Sequence, residues 1–230
     1  MAQSKKPHKA PEEQIEKTLG KGEEFFQKNA KTLMIILIAI IVVVGGYFAY
    51  TYFIALPKAQ KAADEMFVAE QLFGEGAYDT ALNGDGANAG LLDVVDTYGG
   101  TKPGKLAAHY AGICYIKLGD NDSALTYLEK YKPAKGAPAT IINAQNFGLR
   151  GDIYADRGDL NKAAELYGKA AEAGDNILTT PHFLKKSAEV YTELGNYAKA
   201  LEACKRIKDQ YGSSLEARDI DKYIGALEQM

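Results

Sequence analysis

The sequence predicts an all-α protein: a single transmembrane helix near the amino end, an α-solenoid of about four helical hairpins, and a carboxy-terminal helix that caps the stack. Three observations predict it. Residues 33–56 run for 24 positions without a charge, a glycine-centred pattern recurs downstream at near-regular intervals, and the last stretch carries one apolar face.

The uncharged run, Leu33 to Leu56, reads as a membrane span. At about 1.5 Å per residue it is roughly 36 Å long as a helix, enough to cross a hydrocarbon core of about 30 Å with some tilt. A helix also satisfies its own backbone hydrogen bonds, which lipid cannot do for it. A cleaved secretory signal would need a shorter apolar core, roughly 7–15 residues, near the start and before small residues. Here the run begins after 32 residues, and Ile54, Ala55, Leu56, Pro57 make a poor cleavage site, so the span is expected to stay as an anchor. Lys5, Lys6, Lys9, Lys17, Lys21, Lys28 and Lys31 precede it, whereas only Lys58 and Lys61 lie in the twenty residues beyond it. Cytoplasmic flanks retain Lys and Arg, so the amino end is expected in the cytoplasm. Tyr47, Phe48, Tyr50, Tyr52 and Phe53 crowd the far end, where amphipathic rings prefer the interface. Gly45 and Ala49, four apart, form a small-residue pair that would let another membrane helix approach. Pro57, with no amide hydrogen, is expected to end or kink the helix.

Residues 1–32 form the cytoplasmic segment. Met1 to Ala10 is polar and basic and is expected to be disordered. From Pro11 to Lys31, Ile15, Leu19 and Phe26 recur at helical spacing, which fits either a short amphipathic helix on the membrane face or a solvated helical extension of the span.

The net charge of −3 hides two parts: +2 before the span and −5 after it. A mildly acidic main domain, 57–230, argues against a nucleic-acid surface, which needs clustered cations to displace counterions. Two cysteines in so long a domain are no disulfide framework, and its length suffices for a continuous core.

Within that domain three sets of residues share identical offsets. They are Ala111, Gly112, Tyr115, Gly119, Ala124, Leu128; Arg150, Gly151, Tyr154, Gly158, Ala163, Tyr167; and Ser187, Ala188, Tyr191, Gly195, Ala200, Cys204. A weaker copy precedes them in Ala69, Leu72, Gly76, Tyr78 and Ala81. The offsets describe a helical hairpin. Gly119, Gly158 and Gly195 each follow a helical run, where a left-handed residue closes a helix without strain. Asp120, Asp159 and Asn196 come next and can accept from the free amides that open the second helix. Gly112, Gly151 and Ala188 must be small, with Ala124, Ala163 and Ala200, because the paired helices approach there. Tyr115, Tyr154 and Tyr191 are expected to fill the space between neighbouring hairpins.

This pattern resembles the tetratricopeptide repeat, matched almost position by position in Gly151, Tyr154, Ala163 and Tyr167. Departures are visible: the aromatic position holds Leu128 in one copy and Cys204 in another, the closing proline is missing, and the linkers are long. The resemblance divides the domain into a degenerate first repeat at 57–104, repeats at 105–138, 139–178 and 179–212, and a capping helix at 213–230. In the first repeat the second helix is interrupted by Asn83, Gly84, Asp85 and Gly86. Asn83 and Asp85 offer oxygens in the manner of a calcium loop, but Asn88 stands where such a loop needs Gly and Val94 where it needs a bidentate Glu, so a turn without metal is expected. At the end, Ser213 or Ser214 can cap a helix whose Ile220, Tyr223, Ile224 and Leu227 share a face.

No catalytic constellation is legible. The histidines are His8, His109 and His182; His109 and Cys114 are five apart, too far round a helix to share a metal. Cys114 and Cys204 read as small buried apolar groups. No phosphate-cradling loop and no nucleophile with its base can be picked out, so neither enzyme activity nor a cofactor is expected. Recognition is expected instead on the concave faces of the first helices of the hairpins, at His109, Lys117, Gln145, Asp152, Asp156, His182, Lys185, Glu189 and Glu193. The competing reading of these positions is a solvated face with pairs such as Lys185 and Glu189. Tetratricopeptide domains that clamp a partner's terminal carboxylate place Asn where this chain has Ile113, Asp152 and Glu189, so a carboxylate would meet repulsion.

The whole layout resembles the bacterial YfgM-type membrane proteins. What that resemblance implies is an inner-membrane anchor with a periplasmic repeat domain. It also implies association with the Sec translocon and a membrane-anchored chaperone or prolyl isomerase, and help for unfolded secreted clients, with no small-molecule substrate. Two alternatives remain open: an architectural scaffold of the envelope or division machinery that self-associates through Gly45 and Ala49, and an organelle import receptor with cytosolic repeats.

Overall fold

Helix α1, Glu12–Tyr50, covers the uncharged stretch as far as Tyr50, and no proline falls inside it. A computed structural model describes the backbone of residues 12–136 and 139–230, with side chains from Gln27 onward. The expectation of disorder for Met1 to Ala10 lies outside the described residues. Helix α1 has no end at Lys31, so the segment from Glu12 is a helical continuation of the apolar stretch and not a separate short helix. One helical stretch, Gln27–Gly74, is long and apolar enough to cross a membrane, and none of its apolar window is buried. Ile35 to Val44 stand exposed along it, as do Tyr47, Phe48, Tyr50, Tyr52 and Phe53 at its far end.

Pro57 does not end the helix. A π-turn, Thr51–Ala55, precedes it, and helix α2 follows as Leu56–Gly74. Proline offers no amide to the carbonyl four residues back, here Phe53, and its ring crowds that carbonyl. The wider turn spans those residues, so the chain absorbs the proline without breaking.

The chain divides into two units, and the second begins at Lys58. It contains α3, Tyr78–Asn83; α4, Leu91–Tyr98; α5, Lys102–Leu118; α6, Asn121–Lys130; α7, Ala139–Asp156; α8, Leu160–Glu172; α9, Thr180–Glu193; α10, Tyr197–Gln210; and α11, Ile220–Leu227. No strand occurs among the described residues.

The hairpin turns are built as the glycine spacing predicts. Gly119, Gly158 and Gly195 have φ of 84°, 77° and 71°. In each, the glycine amide donates three residues back and the next amide five residues back, as in Asp120 N to Tyr115 O at 2.9 Å, Asp159 N to Tyr154 O at 2.9 Å and Asn196 N to Tyr191 O at 2.8 Å. The side chains of Asp120, Asp159 and Asn196 then accept from the amides of Ser123, Lys162 and Lys199, capping α6, α8 and α10. The weak first copy closes identically: Gly76 has φ of 80° and Ala77 N donates to Leu72 O at 2.9 Å. Its second helix is α3, which stops at Asn83 before Asp85 accepts from the amides of Ala87 and Asn88 and the chain turns into α4.

Close approach explains the small positions. A methyl group at Gly112 would sit 2.5 Å from Leu128 Cγ, and one at Gly151 would sit 2.7 Å from the Tyr167 ring. Ala124, Ala163 and Ala200 are fully buried. The core forms successive clusters: Ala62 to Cys114 along α2–α5, a small one at Ala124, Leu125, Leu128 and Ile153, and a large one from Ala144 to Leu227. Tyr115 packs against the first two and Tyr154 against the last two, which is the filling role their spacing predicts.

At the carboxyl end, Ser214 Oγ accepts from Ala217 N at 3.2 Å, within the short 3₁₀ turn Glu216–Asp219 that precedes α11, and does not cap α11 itself. Ile220, Ile224 and Leu227 bury against the last hairpin, but Tyr223 stays 40% exposed.

Candidate partner-binding surface

The first helices of the last three hairpins, α5, α7 and α9, carry the residues expected to recognise a partner, and the three helices differ. On α5, His109 is fully buried, contrary to the exposed position expected of it, and Ile113 is buried too. Asn146 Nδ2 donates to His109 Nδ1 at 3.2 Å and to the Leu128 carbonyl at 3.1 Å, while His109 Nε2 faces Gln145 Oε1 at 3.4 Å. Those bonds fit the neutral ring protonated at Nε2. Burial pushes its pKa down from 6.5 to about 4, against a smaller opposite effect of Gln145. His109 is therefore a pin between α5 and α7, packed on Tyr110 and Tyr131, and cannot meet a partner. Lys117, in the last turn of α5, is exposed where a cation suits the helix dipole.

On α7 and α9 the dipole preference is reversed. Asp152 and Asp156 stand in the last turns of α7, Glu189 and Glu193 in those of α9, and neither helix has a basic residue in its final turn. Carboxylates at a helix carboxyl end are unfavourable by a few tenths of a kcal/mol or more each, so helix stability does not account for them. Asp152 is half-exposed and satisfied: Tyr167 OH donates to its Oδ1 at 2.7 Å and Lys186 Nζ donates to the same oxygen at 2.7 Å. Asp156, Glu189 and Glu193 are exposed and have no ion-pair partner among the described residues. Burial, then the carboxylates of Asp152, Asp156 and Glu189, raise the Tyr167 hydroxyl well above its usual range, which places these acids in one field.

Beside Glu189 an apolar cavity of about 250 Å³ opens, lined by Ala188, Cys204, Ile220, Tyr223 and Leu227. Lys185 Nζ lies 5.0 Å from the Tyr223 ring centre at its rim, not on Glu189. His182 is half-exposed and pairs with Glu216 at 3.7 Å. Thus Asp152, Asp156 and Glu189 share the surroundings of Tyr167, Lys185 and Glu189 share a cavity, Glu193 follows one turn further along α9, His182 pairs with Glu216, Gln145 is tied to His109, and Lys117 stands apart on α5. Gly45 and Ala49 are exposed on α1, with nothing within 4 Å of a methyl group placed at Gly45.

Sequence reasoning missed Lys186, which answers Asp152, and the cavity. Its signal was present: Cys204 stands where the repeat pattern has a large side chain.

The tetratricopeptide repeat family matches residues 107–132 and 186–214. Those two stretches match the repeat, and the stack of helical hairpins that contains them is tetratricopeptide-like in fold. A solved structure of nearly identical TPR-like repeats from Podosopora anserina, described as a kinesin light chain, is similar with 13% identity and a TM-score of 0.50, over 74% of this chain and 86% of that one. At that identity the likeness concerns the fold alone. No curated protein matches the chain. The acids Asp152, Asp156, Glu189 and Glu193 stand towards the carboxyl ends of α7 and α9, the first helices of the last two hairpins.

Proposed function

We propose that this protein is a membrane-anchored tetratricopeptide scaffold of the bacterial inner membrane. Its amino end lies in the cytoplasm, and its repeats hold protein partners in the periplasm as an accessory of the Sec translocon and its chaperones. The observation that carries this reading is the pairing of two unmatched surfaces in one chain: an unburied apolar helix of membrane length, and the exposed acids Asp156, Glu189 and Glu193, which have no ion-pair partner among the described residues. The lysine excess before the span supports the orientation. The YfgM-type layout supports the choice of translocon subunits, a membrane-anchored chaperone or prolyl isomerase, and unfolded clients as partners.

The test combines topology with capture. Added protease should digest the repeat domain in spheroplasts but not in intact cells. Photocrosslinkers at Glu189 and Gly45 in native membranes should yield translocon or chaperone adducts by mass spectrometry. Digestion only after the inner membrane is broken would contradict the orientation. Self-crosslinks or division proteins alone would favour the architectural reading, for which the open surface at Gly45 and Ala49 is the one specific observation; Gly45→Leu would then abolish function while Asp152→Lys and Glu189→Lys would not.

A further inference from the structure

The third and fourth hairpins place corresponding residues 37 positions apart, and the fourth lacks what completes the third. In the third, the Tyr167 ring packs across Gly151, its hydroxyl donates to Asp152 at 2.7 Å, and Lys186 from the next helix donates to the same carboxylate at 2.7 Å. Lys186 also lies 5.4 Å from the Tyr167 ring centre, so ring and cation form one assembly. In the fourth, the matching positions are Ala188, Glu189, Cys204 and Tyr223. Helix α11 packs on α10 as α9 packs on α8, and Tyr223, 37 positions after Lys186, lines one cavity with Glu189 and Cys204. Cys204 is too short to fill the space of Tyr167, and the apolar cavity of about 250 Å³ is the volume it leaves. Glu189, the counterpart of Asp152, has neither hydroxyl nor ammonium: no hydrogen-bond or ion-pair partner is found for it among the described residues. Asp156, which acts on the same Tyr167 hydroxyl, and Glu193, one turn on along α9, likewise have no ion-pair partner among the described residues.

We propose that a protein partner supplies the two missing groups: a tyrosine side chain that enters the cavity between Ala188, Cys204 and Tyr223, and a neighbouring Lys or Arg that meets Glu189. The inference rests on the scaffold reading above and names the partner's chemistry. Charge selects the segment. Lys185 also lines the cavity, but its ammonium is held on the Tyr223 ring, 5.0 Å from its centre, which leaves the carboxylates of Glu189, Asp156 and Glu193 as the unpaired charges that a basic segment completes and a phosphorylated or acidic one does not. The apolar walls of the cavity supply the burial and Glu189 the polar end, the division of labour that makes tyrosine effective at interfaces.

The test uses the full chain in lipid nanodiscs and a fluorescent Gly-Ser peptide carrying one Tyr and one Arg, read by anisotropy. Replacing the peptide's Tyr by Ala, or its Arg by Glu, should weaken binding about tenfold each. Cys204→Tyr, which fills the cavity with the chain's own ring, should do the same while the melting temperature holds or rises. Should that variant fold poorly, the exposed Tyr223→Lys, which returns to Glu189 the cation that Asp152 has, should weaken binding in its place. Equal affinity for all three peptides, or unchanged binding by a folded Cys204→Tyr or Tyr223→Lys protein, would overturn the inference. Photocrosslinking from Glu193 separates the two claims: capture that survives Cys204→Tyr leaves the scaffold standing and removes the tyrosine cavity, and absence of capture in the unaltered protein removes the scaffold reading.

Discussion

The second hairpin and the fourth are built on the same turn and cap, yet one is closed where the other is open. After the small residue of the first helix, α5 has Ile113, buried, and α9 has Glu189, exposed and unpartnered. Across the hairpin, Leu128 is fully buried against the place where a methyl at Gly112 would collide with it, whereas Cys204 borders a cavity. The third hairpin lies between them in kind, with a charged residue whose partners are all internal. The difference teaches that the turn chemistry sets the module, while the side chains opposite the small residue decide whether the hairpin is sealed or holds a cavity. Local rules lapse where a functional site is expected, and they lapse at the carboxy-terminal end of this stack.

The largest expected effect would come from breaking the shared frame. Ala163→Arg forces a charge into a fully buried helix contact, and loss of about 3 kcal/mol or more, or outright unfolding, should appear in a thermal melt followed by circular dichroism. Next is the seal of the second hairpin. His109 has a folded pKa of about 4 against 6.5 when free, so its neutral form is preferred in the fold. Its contribution is therefore complete above pH 6.5 and is lost as pH falls through 4, on the order of 3 kcal/mol in all. Urea titrations across that window should show stability falling with acid, and His109→Gln should flatten the part of the slope due to this residue. Leu128→Cys would give the second hairpin the short side chain of the fourth; a cost of about 2 kcal/mol in the same titration would show that closure there is structural. Smallest is the cap, where Asp159→Ala should cost about 1 kcal/mol, as should Asp120→Ala, because both hairpins share the motif.

Much of the frame was legible in the residues because it rests on local backbone chemistry. Gly119, Gly158 and Gly195 need a left-handed conformation, and the Asp or Asn after each caps the next helix, so turns and helix starts could be read from spacing alone. The path of the chain at Pro57 was not legible, since a π-turn can absorb a proline and no residue pattern announces it. Nor was the burial of His109: helical spacing puts it on the first helix, but its partners Gln145 and Asn146 come from another hairpin 36 and 37 residues away. The exposure of Asp156, Glu189 and Glu193 was legible, because helical periodicity puts them on the outer face of their helices. Lys186 escaped because its role depends on how far α9 stands from α7, a tertiary distance that sequence spacing does not encode.

The central claim is that the carboxy-terminal, acidic end of the concave surface engages partners while the sealed hairpin does not. The most direct measurement compares photocrosslinking yields in native membranes from a probe at Glu193, on α9, and one at Lys117, the exposed residue in the corresponding turn of α5. The account predicts heterologous protein adducts from Glu193 and few from Lys117. Equal yields, or adducts from Lys117 alone, would contradict it.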